Sequence, residues 1–184
     1  MAFMTREEVE ALGLAAVGHD VLIDRDARII GAARTRIGSH VRIDAFAVLS
    51  AGRDGITIGN HVHVAAHCFI AGAAHVHLDD FSGLSGRTSI YSSTDDYTDG
   101  ALTGPTVPDE LRDVDSRPVR VGRHVVVGAG SVILPGVTIH DGAAVGAMSL
   151  VRRDVAPFDI VAGQPARPIG KRSRRILELE ARVR

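Results

Sequence analysis

Aliphatic residues recur every sixth position through most of this chain. Val121, Val127, Ile133, Ile139, Val145 and Val151 form the longest unbroken run, each opening a hexapeptide whose other positions are mostly small or polar. Upstream the same beat groups into Ile23 and Ile29, then Ile37, Ile43 and Leu49, then Ile58, Val64 and Ile70, then Leu78, Leu84 and Ile90. A period of six matches neither the 3.6-residue repeat of an amphipathic helix nor the two-residue alternation of a half-buried strand. It fits a solenoid in which three hexapeptides make one triangular coil and the aliphatic positions stack along a single axis. The expected fold is therefore an all-β solenoid.

Spacing between the triplets is eight or nine residues, and from Ile90 to Val121 it is 31. Every interruption then falls at one corner of the triangle. This predicts that the segments around Arg53 and His75 and the excursion Tyr91 to Pro118 lie one above another. A loop of that length in a compact array is usually functional or disordered, and its position marks it as a candidate site. Thr5 with Glu8 three residues later fits a capping box, predicting a short helix through about Leu12 that plugs one end of the stack. Pro157 and the prolines at 165 and 168 end the pattern, and Lys171 to Val183 has helical composition. The reading divides the chain into a cap (1–18), the repeat body (19–156, with its insertion at 91–120) and a closing segment with a C-terminal helix (157–184).

Composition narrows the function classes. With 20 glycines, no tryptophan and only 4% aromatic residues, the chain suits tight turns around a narrow aliphatic core. A formal charge of −1 without a long basic run argues against nucleic-acid binding. The single cysteine, Cys68, excludes an intramolecular disulfide, and no apolar stretch approaches membrane-spanning length. A soluble cytoplasmic protein, not inserted in a membrane, is expected.

Val121 to Lys171, closing in AGQPAR, together with the Phe81 to Pro108 segment containing YSSTDDY, resembles the hexapeptide-repeat acyltransferases. Within them it looks like the sugar O- and N-acetyltransferases of bacterial surface-polysaccharide assembly, the galactoside O-acetyltransferase type in particular. The resemblance covers about residues 20 to 175. It implies a left-handed parallel β-helix, a homotrimer, acetyl-CoA as co-substrate without a metal, and a sugar or nucleotide-sugar acceptor, with a hydroxyl as the first choice of acyl-accepting group and an amine as the second.

Small residues let a pantetheine arm approach the backbone. The resemblance places that contact on Gly128, Ala129, Gly130, Ala147 and Met148. Coenzyme phosphates need cations; Arg152, Arg153, Arg167, Lys171 and Arg172 are available, and Arg167 and Lys171 match the family's basic closing segment. Acyl transfer to a hydroxyl needs a base, which histidine supplies near neutral pH. Residues 91 to 120 contain no histidine, so the base must lie on a coil or be a carboxylate. His63, in HVHVAAH, matches the subgroup's element and is the leading base; His67 is second. His40, His61 and His124 share one coil slot and read as a corner ladder. Asp95 and Asp96 could hold sugar hydroxyls or orient the base, Tyr91 and Tyr97 could form a platform for a sugar face, and Arg87, stacked over His67, could pair with a carboxylate or phosphate. Two rival readings stand beside this one. In the first, His61, His63, His67, His75 and His77 hold a metal as in γ-class carbonic anhydrases; in the second, the solenoid is a non-catalytic scaffold.

Overall fold

The computed structural model describes residues 2–183. They form a left-handed parallel β-helix with three walls. The first wall stacks Ala16–Val17, Thr35–Ile37, Ile56–Ile58, Val76–Leu78, Val119–Val121 and Thr138–Ile139. The second runs from Leu22–Ile23 through Arg42–Ile43, His63–Val64, Gly83–Leu84 and Val126–Val127 to Ala144–Val145, then Asp159–Gly163. The third holds Arg28–Ile30, Val48–Ala51, Phe69–Gly72, Ser89–Tyr91, Val132–Ile133 and Leu150–Val151.

The hexapeptide aliphatics form the axis. Ile43, Val64, Ile70, Leu78, Ile90, Val121, Ile133 and Ile139 are each 0% exposed, whereas Ile29, in the first coil, is only half-buried because nothing lies beneath it on its wall. Each core residue therefore rests on the equivalent residue one rung away, about 4.8 Å distant.

Each coil turns at corners where residues take a left-handed backbone. At the first edge His40, His61, Phe81 and His124 have φ between 55° and 60°. A non-glycine residue there costs on the order of 1 kcal/mol. The rings offset this by stacking: centroids lie 4.6 Å apart for His40 and His61, 4.6 Å for His61 and Phe81, and 5.1 Å for Phe81 and His124. Aromatic pairs contribute roughly 0.5–1.5 kcal/mol each, enough to hold the side chains in place. The expected corner ladder is thus present. The third edge carries the insertions, stacked as the spacing requires: Asp54 N–H donates to Ala73 O (3.0 Å) and Ala73 N–H to Ser93 Oγ (3.3 Å).

The ends differ from each other. Helix α1 (Arg6–Ala11) starts at Thr5 with the expected reciprocal capping box to Glu8 and buries Val9. The first rung begins at Ala16, which pairs with Arg36, so the coils start inside the segment read as a cap. At the other end the helix is shorter than its composition suggests. Ala166–Lys171 is a strand running antiparallel to Asp159–Gly163, and only Arg175–Glu180 is helical (α2). The open edge of the second wall captures this strand, and tertiary pairing overrides local propensity. The insertion also has structure of its own: Ser93–Asp95 pairs antiparallel with Val114–Ser116, and Val119–Arg120 already belong to the first wall. Among the described residues no helix is long and apolar enough to cross a membrane.

Candidate active site

His63 stands on the outer surface of the second wall, level with Arg42 below and Gly83 above. Its Nε2 lies 2.8 Å from Oδ2 of Asp44, whose side chain is only 10% exposed. Arg42 Nε donates to the other carboxylate oxygen at 2.7 Å. Burial would raise the Asp44 pKa, but hydrogen bonds from His63 and Arg42 outweigh it and hold the carboxyl below its usual range. The carboxylate fixes the imidazole through Nε2 and leaves Nδ1 for chemistry, the orienting arrangement a general base requires. Beside it Gly83 leaves open space, since a Cβ there would meet nothing within 4 Å. A groove of about 280 Å³ lined by His63, Ala65, Gly83, Ser85, Gly86 and Val126 results. Sequence reading missed Ser85, a hydroxyl on this groove; its signal was the small-residue run Gly83 to Gly86 at the rung above His63.

The second edge gathers several further candidates into one column. Phe46, His67, Arg87, Gly130 and Met148 occupy its left-handed corners, φ 58° to 70°, and His67 stacks on Phe46 at 5.0 Å. Met148 N–H donates to Ala129 O and Gly130 N–H to Gly86 O, so the rungs chosen for coenzyme contact form one continuous strip with His67 and Arg87. Gly128 is small for a packing reason: a Cβ there would sit 2.4 Å from Ala147 N. Arg87 is exposed.

The insertion brings Tyr91, Asp95 and Tyr97 together with Val132, Leu134 and Pro135 around a cleft of about 320 Å³. Asp95 accepts from Gly104 N–H (3.3 Å) and Arg112 Nη2 (3.4 Å). Tyr91 packs on Phe69 and Tyr97 is 87% exposed. Asp96, expected to contact substrate, is hydrogen-bonded within its own loop. Its two oxygens accept from the backbone N–H groups of Thr98, Asp99 and Ala101 and from the Thr98 hydroxyl, with the Thr98 backbone bond foremost in lowering its pKa. Those bonds shape the turn and leave the carboxylate committed to its own loop.

At the closing end Arg152, Arg153 and Arg167 line a cleft of about 330 Å³ with Asp154 and Asp159. Lys171 instead pairs with Asp159, and Arg172 turns inward to the carbonyls of His124, Gly142 and Ala143, where burial lowers its pKa. Cys68 is buried in the hydrophobic core and its thiol is pushed up to about 11 by burial, which removes it as a nucleophile.

The five histidines of the metal reading do not converge. His61 is sandwiched between His40 and Phe81, His63 is bound to Asp44, His67 lies on Phe46, His75 bonds Thr57 and His77 lies against Asp79. Within one copy of the chain, and among the described residues, these five histidines form no metal-binding group. Nor do His63 and Asp95 meet within one chain: one is on the second wall, the other on the third-edge insertion.

Residues 118–153 match the family model described as bacterial transferase hexapeptide (six repeats). The chain is 40% identical over 181 residues to the dTDP-4-amino-4,6-dideoxy-D-glucose acyltransferase of Escherichia coli, covering 98% of this chain and 94% of that one. It is 32% identical over 114 residues to the galactoside O-acetyltransferase of E. coli K12, covering 60% of this chain and 54% of that one. Among solved structures, AntD, an N-acyltransferase from Bacillus cereus in complex with dTDP and 3-hydroxybutyryl-CoA, superposes with a TM-score of 0.94 at 39% identity, covering 99% of this chain and 96% of that one. The maltose O-acetyltransferase of Clostridium difficile, at 20% identity and a TM-score of 0.58, shares the fold. With a continuous hexapeptide solenoid and 40% identity over nearly its full length to a sugar acyltransferase, this chain belongs to the hexapeptide-repeat acyltransferases.

Proposed function

We propose that this protein transfers an acyl group from an acyl-CoA, acetyl-CoA being the simplest donor, to the amino group of a nucleotide-linked dideoxy aminosugar. The observation that carries this reading is the 40% identity over 98% of the chain with an acyltransferase named for such a substrate. It reverses the order of preference reached from sequence, where a hydroxyl stood before an amine. The chemistry of the third-edge cleft supports the change: Asp95, already held by Arg112 and Gly104 N–H, lines the cleft with a remaining oxygen lone pair that can accept an N–H of the neutral sugar amine, and Tyr91 and Tyr97 offer aromatic surface to its ring.

In the reaction the amine nitrogen forms a bond to the thioester carbonyl carbon, the carbon–sulfur bond breaks, and the proton lost by nitrogen is passed to the departing thiolate. His63, held by Asp44, takes that proton from nitrogen at Nδ1. Backbone N–H groups along the second edge stabilise the oxyanion. Gly128 to Gly130 and Ala147 to Met148 carry the pantetheine, and Arg167 faces the coenzyme phosphates; Lys171, engaged with Asp159, has the weaker claim.

His63 and Asp95 serve one site only if they come from different copies of the chain. That requirement supports a homotrimer with sites between subunits. Both substrates are cytoplasmic metabolites by class, which favours a cytoplasmic enzyme. The test is release of free thiol when purified protein is given acetyl-CoA with dTDP-4-amino-4,6-dideoxyglucose, against a galactoside of equal concentration. Turnover on the galactoside alone refutes the amine reading, and light scattering at monomer mass refutes the shared site.

A further inference from the structure

We propose that His19, Asp20 and His40, at the start of the first edge, form a binding site for a borderline divalent transition ion such as Zn²⁺. Asp20 Oδ2 lies 2.9 Å from His19 Nδ1 and 3.4 Å from His40 Nδ1, and the three potential ligand atoms lie within 4.8 Å of one another. Among the described residues this is the group of histidine, cysteine and acidic side chains that meets such a spacing. Two imidazoles and one carboxylate are the donors that borderline ions prefer to Ca²⁺ or Mg²⁺, and three protein ligands leave the fourth tetrahedral position to water.

The fold prepares this arrangement. Asp20 and His40 occupy equivalent left-handed corners one rung apart, φ 54° and 57°, so their side chains leave the edge in the same direction. His40 N–H donates to His19 O at 2.9 Å, and His19 N–H to Ser39 Oγ at 3.1 Å, locking the two rungs together. The His40 ring is pinned on one side by His61, stacked at 4.6 Å, and meets His19 edge-on at 4.7 Å. Such an ion takes nitrogen and oxygen ligands at about 2.0–2.2 Å, which allows donor atoms up to about 4 Å apart to share it. Arg6, which donates to the carbonyl of Gly18 next door, is itself paired with Glu10 and does not compete for Asp20. An ion here would join the first coil to the second, where the stack has lost its neighbour below.

The test is calorimetric titration of tag-free, chelator-treated protein with zinc chloride, alongside thermal unfolding. Expected is one ion per chain with micromolar affinity and a raised Tm that excess chelator reverses. His40→Asn and Asp20→Asn keep a residue that tolerates the left-handed corner, and each should weaken binding about tenfold or more; His19→Gln, outside that corner, should do the same. Acyl transfer should be unaffected in all three, which separates this site from the proposed activity. No binding at millimolar zinc, or equal binding by the wild type and all three variants, overturns the proposal.

Discussion

Replacing Asp44 by Asn tests how much of the His63 contribution depends on the carboxylate behind it. The carboxylate sits at 2.8 Å from His63 Nε2, buried to 10% side-chain exposure, and its second oxygen is held by Arg42. Hydrogen bonds to a charged group contribute about 1.5–3 kcal/mol. At 1.36 kcal/mol per factor of ten, Asp44→Asn should lower kcat about 10- to 150-fold. His63→Ala removes the base altogether and should cost about 100-fold or more. Because the two residues act as one unit, the double variant should be little worse than His63→Ala, with a coupling energy close to the single Asp44 effect. The assay is steady-state thiol release across pH 5–9, with coenzyme affinity measured separately by calorimetry and expected to be unchanged. Near-normal turnover in His63→Ala refutes the base assignment. Additive losses in the double variant refute the coupling and make Asp44 a purely structural residue. Stability gives a second readout with a defined sign. The Asp44 pKa is depressed in the fold, so its contribution is present above the unfolded carboxyl value and is lost as pH falls through the folded one. Asp44→Asn should therefore flatten the acid limb of the unfolding curve.

Asp95→Asn should raise the KM for the aminosugar several-fold while leaving that for the acyl-CoA near wild type; the opposite order relocates the acceptor pocket. Glu180 on α2, hydrogen-bonded by Arg123 and His124, has its pKa lowered to about 2. The docking of α2 should hold above the unfolded carboxyl value and loosen as pH falls toward 2, read by hydrogen exchange of residues 175–180, and Glu180→Gln should show the loosened pattern at neutral pH. Ile90→Ala, at a position 0% exposed between Ile70 and Ile133, should cost about 2–5 kcal/mol in urea unfolding, at the upper end because the strand ladders on either side resist collapse into the cavity. A loss under about 1 kcal/mol would mean that the axial stack relaxes freely.

The axial stack, the stacked third-edge insertions and the histidine ladder were legible because each follows from a spacing of six with one elastic corner. The Thr5 and Glu8 capping box was equally local and equally readable. What escaped was pairing that depends on rung register. Asp44 and His63 are 19 residues apart, and their contact appears only when Arg42 is set level with His63. Ser85 was hidden in the same way, one rung above. At Asp96 two signals overlap in the sequence, adjacent carboxylates that suggest chemistry and a Ser-Ser-Thr-Asp-Asp composition that suggests a turn; the hydrogen bonds from residues 98, 99 and 101 follow the turn signal. At the closing end, charged residues around Ile176, Leu177 and Leu179 read as a helix beginning at Lys171, but an unpaired wall edge is a stronger determinant than composition and took Ala166–Lys171 as a strand. The gathering of His67, Arg87, Gly130 and Met148 on one ridge was partly visible, since His67 and Arg87 share a coil position in the sequence.

Because chain is added only at the third edge, lengthening it leaves the vertical alignment of all three walls untouched. Doubling such a loop adds only about 0.6 kcal/mol of closure entropy. The acceptor recognition proposed for this segment is thereby uncoupled from foldability: residues between Tyr91 and Pro118 can be resized or recomposed while the axial column carries on folding as before. A scaffold of this kind can diversify its clientele by editing one seam, and graft experiments that exchange this segment between relatives should yield folded chimaeras whose acceptor preference travels with the transplanted piece.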